Sequence, residues 1–291
     1  FTGEERMSGI ASGRLKSVIL LSTLLLVVAA ACGEEAPETD TGGGGGDDSG
    51  AQFETIEEGI FTVGSCLDYR PFEFVKDGEE QGFDVEMVEA IAEKLNLEVQ
   101  WKKANFDTIF TAQAANKFDM VAAASTILPE REEIVDFSDP YFNSRQALTI
   151  NTAESGDVAS ADDLGEGDIV AVQKGTTGKL WAEDNLAPNG VEIKTFDAAP
   201  DAFTDLEAGN VQAVVNDEGS SIAEVEQRSG LEIAEAIDTD EKYGFAFSKD
   251  NPELTEAANG ALQEIIDEGT YADIFSKWFP DLPVPPEYEG N

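Results

Sequence analysis

The chain has 291 residues, 41% of them hydrophobic, which is enough to bury a sizeable core in one large domain or two smaller ones. Its 18 lysines and arginines stand against 60 aspartates and glutamates. The resulting formal net charge of −42 makes binding to nucleic acid or to anionic membrane surfaces unfavourable. There is no histidine, which excludes Ser-His-Asp and Cys-His nucleophile systems and histidine-based metal sites. The two cysteines, Cys32 and Cys66, indicate neither a disulfide framework nor a four-ligand metal site, and the sequence predicts no metal and no cofactor.

Residues 1–31 have the pattern of an export signal. Arg14 and Lys16 precede an apolar run over residues 18–28, and three alanines then lead to Cys32. A basic region, a short apolar run and a small-residue cleavage site are typical of a signal peptide. The cysteine that follows resembles the lipidated cysteine of a bacterial lipoprotein signal; a plain secretory signal with an incidental cysteine is the alternative. Residues 1–6 are expected to lie upstream of the native start.

Residues 32–52 would then form a lipidated cysteine and a tether. After Cys32 the chain reads GEEAPETDTGGGGGDDSGAQ, which is acidic and glycine-rich and has no apolar periodicity. Such a composition predicts a disordered segment. We therefore expect an exported protein, anchored by its N-terminal lipid to the outer face of the bacterial cytoplasmic membrane, or a periplasmic one.

The next part of the chain alternates between strand and helix patterns. Strands are predicted at residues 59–65, 97–104 and 119–125, and helices at residues 84–96 and 106–118. In the first helix the apolar residues recur at helical spacing, at Val85, Val88, Ile91, Ala92 and Leu95. The alternation predicts an α/β architecture with a largely parallel sheet.

A similar pattern restarts after about residue 147. Strands are predicted at residues 168–175, 191–196 and 211–217, and helices between them at residues 178–186 and 199–209. A last helix is predicted from Pro252. Two similar halves indicate two lobes, each with a mixed, mainly parallel sheet flanked by helices.

Polar residues follow several of the predicted strands. Ligands in open α/β sheets bind beyond the carboxyl ends of the strands. The strand ends to consider are Ser125-Thr126 in the first half, and Gly175-Thr176-Thr177 and Asn216-Asp217 in the second. The segment QKGTTGK lacks the full spacing of a phosphate-binding loop, so nucleotide binding is not favoured.

An ordered set of stretches resembles the extracellular solute-binding proteins of amino-acid ABC transporters, which have the type II periplasmic-binding fold. The set covers roughly residues 53–280, and its order makes it far more specific than any member alone. The stretches are DYRPFEF (68–74), GFDVEMVEAIAEKL (82–95), PEREEIVDFSDPYF (129–142), VQKGTTG (172–178), AVVND (213–217), YGFAFSKDNPEL (243–254) and GTYADIFSKWF (269–279).

The resemblance implies two lobes around a hinged cleft that closes on its ligand. Lobe 1 would hold residues 53–147 and 244–287, and lobe 2 residues 148–243. The chain would cross between them near residues 145–150 and 241–245. The implied partners are an amino-acid ligand and the permease and ATPase of an ABC importer, and the receptor itself is expected to be a monomer.

The resemblance also assigns charged ligand contacts. A free amino acid presents a carboxylate and an ammonium, and each needs a partner when the cleft excludes water. Arg131 matches the carboxylate-binding arginine, which can hold a carboxylate with two parallel hydrogen bonds. Gly175 and Thr177 match the lobe 2 segment that binds the carboxylate at a helix start. Asp217 matches the acidic partner of the ammonium. The alternative for Arg131 is a surface arginine at a helix start, and the alternative for Asp217 is an ordinary solvated aspartate.

Four further positions match contacts of the family. Thr126 would bond the carboxylate or the ammonium through its hydroxyl, and Ala124 would offer its carbonyl to the ammonium. Tyr69 and Phe106 match aromatic residues on either side of the ligand's stem, although aromatic residues more often belong to the core.

Specificity is expected to depend on four other residues. Cys66 stands where several relatives carry an aspartate, and Asp68 would reach the same face if the segment is extended. Gln173 is neutral at a position that is cationic in some glutamine binders, and Asn216 is another neutral neighbour. A polar ligand side chain such as that of glutamine, or a small polar one, is the expectation; Cys66 could equally be a small buried thiol.

Three classes of function fit this sequence. The first is the uptake receptor, which the export signal, Arg131 and Asp217 favour. The second is an enzyme on the same fold, similar to the dehydratases of arogenate or prephenate, with a carboxyl group as general acid or base. The third is a structural or sensory module, which the sequence favours least because no kinase or cyclase pattern follows.

Overall fold

The computed structural model describes residues 53–290. Its first sheet has five strands, and we call the part of the protein around this sheet lobe 1. In spatial order the strands are β5 (Glu98–Lys103), β1 (Ile60–Ser65), β6 (Met120–Val121), β13 (Ala246–Phe247) and β7 (Asp136–Phe137). β1 runs parallel to β5 and β6, whereas β13 runs antiparallel to β6 and β7.

The second sheet also has five strands, and the part around it is called lobe 2. In spatial order they are β10 (Glu192–Phe196), β9 (Ile169–Gln173), β11 (Ala213–Asp217), β8 (Phe142–Asn151) and β12 (Leu231–Tyr243). β9 runs parallel to both of its neighbours, and β8 antiparallel to both of its own. The expectation of mixed sheets is confirmed. Each sheet has two parallel and two antiparallel pairs of neighbouring strands, so the sheets are evenly mixed and not mainly parallel as expected.

Helices flank both sheets. Those of lobe 1 are α1 (Phe83–Leu95), α2 (Phe106–Ala114), α3 (Pro129–Glu132), α7 (Pro252–Asp267) and α8 (Thr270–Trp278), and those of lobe 2 are α4 (Thr177–Asn185), α5 (Ala199–Glu207) and α6 (Glu218–Gln227). Short 3₁₀ turns lie at Ala161–Asp163, Ala187–Asn189 and Pro286–Tyr288, and a small antiparallel sheet joins β2 (Asp68–Tyr69), β3 (Glu73–Lys76) and β4 (Glu79–Gln81). No helix in residues 53–290 has the length and apolar character needed to cross a membrane.

The helical pattern predicted for residues 84–96 forms α1. Val85, Val88, Ile91 and Ala92 are all buried, so the apolar stripe faces the core as its spacing requires. The helix ends at Asn96, which takes the left-handed conformation and donates its N–H back to the last turn. The start of α1 is also buried, including Asp84, the second residue of the helix.

The core of lobe 1 is rich in aromatic residues. Phe72, Phe83, Tyr141 and Tyr243 are completely buried and belong to one cluster. Phe72 meets Tyr243 edge to face with ring centroids 5.4 Å apart, an arrangement that aromatic pairs favour. Since Tyr243 ends β12 of lobe 2, this cluster supports both crossings of the chain.

The chain passes twice between the lobes. The first crossing lies between β7 and β8, and the second between Tyr243 and β13, where the end of β12 coincides with the predicted boundary after residue 243. The other predicted boundary, after residue 147, falls inside β8, because β8 already begins at Phe142. The predicted crossing at residues 145–150 therefore belongs to a strand of lobe 2. The sequence signal of the true start is the run Ser138-Asp139-Pro140, whose residue types favour a turn just before β8.

The predicted signal peptide of residues 1–31, the lipidation site Cys32 and the tether of residues 32–52 lie outside the described residues.

Candidate functional site

A small cavity lies between the lobes, at the ends of strands from both sheets. Lobe 1 supplies most of its lining, and lobe 2 supplies the ends of β9 and β11 and the start of α4. The lining residues are Cys66, Tyr69, Glu73, Phe106, Ala123, Ala124, Thr126, Arg131, Gln173, Thr176, Thr177 and Asp217. Nine of the twelve site residues predicted from sequence are therefore brought together here; Asp68, Gly175 and Asn216 do not line the cavity.

Arg131 is a buried cation with no carboxylate partner among the described residues. Its Nη1 donates to the carbonyl of Thr126 at 2.6 Å, and its Nη2 donates to the carbonyl of Gly175, in lobe 2, at 3.1 Å. The guanidinium also lies over the rings of Phe106 and Phe110. Burial lowers the pKa of Arg131 to about 10, so it remains charged at neutral pH. A site with such an unneutralised guanidinium suits a carboxylate.

Asp217, at the end of β11, lines the same cavity as Arg131. Its Oδ2 accepts hydrogen bonds from Tyr69 and Tyr243, both at 2.7 Å, and its Oδ1 accepts one from the amide of Gln146. Burial raises the pKa of Asp217 to about 6, with a smaller contribution from the nearby charge of Glu241. The carboxylate is therefore mainly ionised at neutral pH, and it can neutralise a cation.

The start of α4 faces the same cavity. Thr176 caps the helix, because its Oγ1 accepts from the N–H of Lys179 at 3.2 Å. Thr177 is the first residue of the helix and lines the cavity. The N–H groups at a helix start have no partner within the helix and attract anions. Gly175 does not line the cavity, but its carbonyl contacts Arg131.

Ala124 is held in an unusual conformation by a buried carboxylate that sequence reasoning missed. Its φ of 43° is in the left-handed region, which is unfavourable for residues other than glycine. Its N–H donates to Asp84 Oδ2 at 2.9 Å, and the hydroxyl of Tyr141 donates to the same carboxylate. Burial raises the pKa of Asp84 to about 7. The available signal was the aspartate inside the otherwise apolar face of α1.

Glu73 is a second residue that the sequence interpretation missed. It lines the cavity, is completely buried, and neither of its carboxylate oxygens has a hydrogen-bond partner among the described residues. Burial raises the pKa of Glu73 well above its usual range, and the charges of Asp84, Asp68 and Asp217 raise it further. The available signal was an acidic residue between Phe72 and Phe74 in the apolar stretch PFEFV.

The four predicted specificity residues are placed differently from one another. Cys66 is a free, buried thiol whose pKa is raised by burial. Gln173 donates to the carbonyl of Asp197 at 3.2 Å, and the side-chain oxygen of Asn216 lies 3.1 Å from the hydroxyl oxygen of Tyr69, whose proton is donated to Asp217.

Asp68 does not replace the family's acidic residue in the cavity. The expectation required an extended segment, but Leu67 has a φ of 56°, which turns the chain between Cys66 and Asp68. The carboxylate of Asp68 instead pairs with the exposed Lys103 at 3.1 Å.

The two predicted aromatic residues belong to different elements. Tyr69 lies at the end of β2 and stacks on Phe72, and Phe106 begins α2 and meets Phe110 edge to face. Both are mostly buried, and both face the cavity. They can therefore contact the apolar stem of a bound molecule.

A larger groove of about 650 Å³ lies along the crossing strands, near α6 and the end of α8. Its charged lining includes Arg145 and Glu218, which form an ion pair at 2.6 Å. Among the described residues, no side-chain nitrogen or oxygen atom of its lining is both buried and without a hydrogen bond. Within residues 53–290, the smaller cavity is lined by an arginine without a carboxylate partner, Arg131, and a carboxylate without a hydrogen bond, Glu73, and it is therefore the candidate site.

Comparison with known proteins identifies the family of this chain. Residues 61–281 match the model of the family described as bacterial extracellular solute-binding proteins, family 3. The chain belongs to this family. A curated member, the L-cystine-binding protein TcyJ of Escherichia coli strain K12, is 31% identical to this chain over 225 residues, which cover 77% of this chain and 84% of that protein.

Solved structures of similar proteins confirm the predicted fold class. An ancestral arginine-binding protein bound to arginine is 39% identical, with a TM-score of 0.72, and the match covers 76% of this chain and 98% of that one. The ancestral amino acid-binding protein AncCDT-1, described as a precursor of cyclohexadienyl dehydratase, is 33% identical with a TM-score of 0.70, over 76% of this chain and 95% of that one.

Proposed function

We propose that this family member is an extracytoplasmic receptor that binds a free amino acid between its lobes and delivers it to an ABC importer. The observation that carries the proposal is the buried pair of opposite charges, Arg131 and Asp217, which face one cavity without contacting each other. A zwitterion would neutralise both groups where water cannot. The names of the similar proteins, which bind cystine or arginine, support this class of ligand.

The charges define an orientation for the bound amino acid. Its carboxylate would contact the guanidinium of Arg131 and the N–H of Thr177 at the start of α4. Its ammonium would contact Asp217 and the carbonyl of Ala124. The apolar stem of its side chain would then pass between Tyr69 and Phe106.

The far end of the side chain would reach Glu73. Neither oxygen of this buried carboxylate has a hydrogen-bond partner within residues 53–290, and Cys66 and Gln173, which line the same cavity, are neutral. A ligand cation would therefore remove the cost of burying the charge. We therefore propose a basic amino acid, with arginine as the first candidate, rather than the glutamine-like ligand expected from sequence.

The cellular context is part of the proposal. The family description places its members outside the cytoplasm. Anchoring through a lipid on Cys32, delivery to a permease and ATPase complex, and a monomeric receptor remain the expectations drawn from the sequence.

The dehydratase activity is the second candidate, because one observation favours it. Glu73 is a buried carboxyl group with a raised pKa, as a general acid requires. The similarity to a precursor of cyclohexadienyl dehydratase is consistent with this chemistry, although that precursor is itself described as an amino acid-binding protein. Turnover of arogenate or prephenate by the purified protein would support the enzyme, and its absence, with tight binding of an amino acid, would exclude it.

A thermal-shift screen of the mature protein against the twenty amino acids and cystine tests the proposal. A ligand present at 100 times its Kd should stabilise the fold by about 2.7 kcal/mol. We expect the largest shift from arginine, and smaller shifts from lysine and histidine. A screen in which no amino acid raises the melting temperature would overturn the receptor assignment, whereas a shift from neutral amino acids alone would overturn only the role of Glu73.

A further inference from the structure

Glu241 is a buried carboxylate that lies next to the cavity without lining it. Its Oε2 accepts a 2.6 Å hydrogen bond from Thr126 Oγ1, and its Oε1 accepts bonds from Gln146 Nε2 at 2.8 Å and from Thr239 Oγ1 at 2.7 Å. Thr126 does line the cavity. Glu241 therefore acts on the site through the residues it contacts.

The bond to Glu241 fixes what the Thr126 hydroxyl can offer to a ligand. A hydroxyl has one proton, and an ionised carboxylate can only accept. The proton of Thr126 is therefore directed at Glu241, and only the lone pairs of Oγ1 remain for the cavity. Lone pairs can accept from an ammonium but cannot bond to a carboxylate.

We propose that Glu241 is a positioning residue that commits the Thr126 hydroxyl to the α-ammonium of the bound amino acid. This inference rests on the function proposed above, and it resolves the choice between carboxylate and ammonium that the sequence left open for Thr126. Thr126 Oγ1, Asp217 and the Ala124 carbonyl then supply three acceptors, which match the three N–H donors of an ammonium.

The same carboxylate orients Gln146. The amide nitrogen of Gln146 donates to both Glu241 and Asp217, and the reverse orientation would direct its oxygen at two carboxylates. Gln146 Oε1 has no hydrogen-bond partner among the described residues. Glu241 thus keeps the side-chain N–H group of Gln146 directed at Asp217, the proposed partner of the ammonium.

The backbone holds Thr126 and Glu241 together. The N–H of Ile127 donates to the carbonyl of Lys242 at 2.8 Å, and the N–H of Gly244 donates to the carbonyl of Ser125 at 3.0 Å. These bonds lie on either side of the backbone bridge between Thr126 and Tyr243, two residues after Glu241, at the second crossing between the lobes. The direction of the hydroxyl is therefore set by the fold before a ligand arrives.

Calorimetry with L-arginine and with 5-guanidinopentanoate, which lacks only the α-amino group, tests this role. For Thr126→Val we expect arginine affinity to fall about tenfold or more, and 5-guanidinopentanoate affinity to change less than about threefold. Glu241→Gln should also weaken the binding of arginine more than that of 5-guanidinopentanoate. The new amide can donate to Thr126 Oγ1, and the hydroxyl proton of Thr126 is then released toward the carboxylate of the ligand. Thr126→Ser should behave as the parent does, and Thr239→Val, which removes a bond to Glu241 outside the cavity, should leave the ratio of the two affinities unchanged.

Equal losses for both compounds, or a larger loss for 5-guanidinopentanoate, would overturn the role of Glu241 while leaving the proposed function intact. If the parent binds glutamine instead of arginine, glutamine and 4-carbamoylbutanoate form the matching pair. Failure of the parent to bind any amino acid would overturn both proposals. Melting temperatures of the ligand-free variants show whether each has folded.

Discussion

The hydroxyl of Tyr69 in lobe 1 donates a 2.7 Å hydrogen bond to Asp217 Oδ2 in lobe 2. Tyr243 donates to the same oxygen, and Gln146 donates to Oδ1. An ionised carboxylate has about four lone-pair sites, so three internal donors leave roughly one site for a ligand. Asp217 therefore both joins the lobes and keeps one position available for the proposed ammonium.

The ionisation of Asp217 predicts a pH dependence of binding. Its pKa of about 6 lies above the usual value for aspartate, and an ammonium ligand favours the ionised form. The affinity for arginine should accordingly fall as the pH decreases through about 6. Below that pH the Kd should rise by up to about tenfold per pH unit, because Asp217 takes up one proton. Calorimetric titrations with arginine between pH 5 and 8 measure this. In Asp217→Asn we expect weak binding and a shallower pH dependence; a parent affinity that is constant over this range would contradict the assigned contact.

Arg131→Ala should weaken amino-acid binding strongly. Truncating one member of a buried charge pair costs about 2–5 kcal/mol, or about 30- to 5,000-fold in Kd. Arg145→Ala is a matched control, because Arg145 is a half-exposed arginine paired with Glu218 at the surface, where such pairs contribute about 0–1 kcal/mol. Calorimetry gives both affinities, and circular dichroism checks the fold. Similar affinities for the two variants would exclude Arg131 as the carboxylate partner.

Glu73→Gln should make the ligand-free protein more stable at neutral pH. Because the native pKa of Glu73 is raised, the unfolded chain releases a proton that the native protein keeps, and native stability falls as the pH rises above about 4.5. Glutamine does not titrate, so the stability of the variant does not fall in this way. We expect its free energy of unfolding to exceed that of the parent by about 1 kcal/mol or more near pH 8, and to be similar to that of the parent near pH 4. Denaturant unfolding at several pH values measures the difference.

Glu79→Gln is the control for this experiment, since Glu79 is exposed at β4. It should leave the pH profile unchanged. With arginine bound, the parent should be more stable than Glu73→Gln, because the variant lacks the proposed partner of the ligand's guanidinium. A variant that is equally stabilised by arginine would show that Glu73 does not contact the ligand.

Gly175→Ala should hinder closure of the cleft. Gly175 has a φ of 76°, and an added Cβ would lie 2.9 Å from the Cα of Asp107 in the opposite lobe. The left-handed conformation alone costs about 1–2 kcal/mol for other residues, and opening of the lobes would relieve the contact. We expect at least tenfold weaker binding and a larger radius of gyration in small-angle X-ray scattering with ligand.

Gly165→Ala provides the comparison for closure. No heavy atom lies within 4 Å of a Cβ added at Gly165, so this variant should bind and close as the parent does. Parent-like affinity and compactness in Gly175→Ala would show that the contact with Asp107 does not limit closure.

Much of the fold and part of the site could be predicted from sequence. Arg131 and Asp217 follow apolar strands within ordered family motifs, and α1 follows directly from its apolar spacing. Asp84 and Glu73 were missed because each belongs to an apolar segment, where only the tertiary structure shows whether a carboxylate has partners. Asp68 was misplaced because nothing in the sequence indicated the left-handed turn at Leu67.

A crystal structure of the protein grown with L-arginine would test both the proposed receptor function and the orientation of the ligand. It should show the ligand carboxylate on Arg131 and the Thr177 N–H, the ammonium on Asp217, and the guanidinium within hydrogen-bond distance of Glu73. Arginine bound in the reverse orientation, or bound outside the cavity between the lobes, would show that Arg131 and Asp217 do not have the proposed roles.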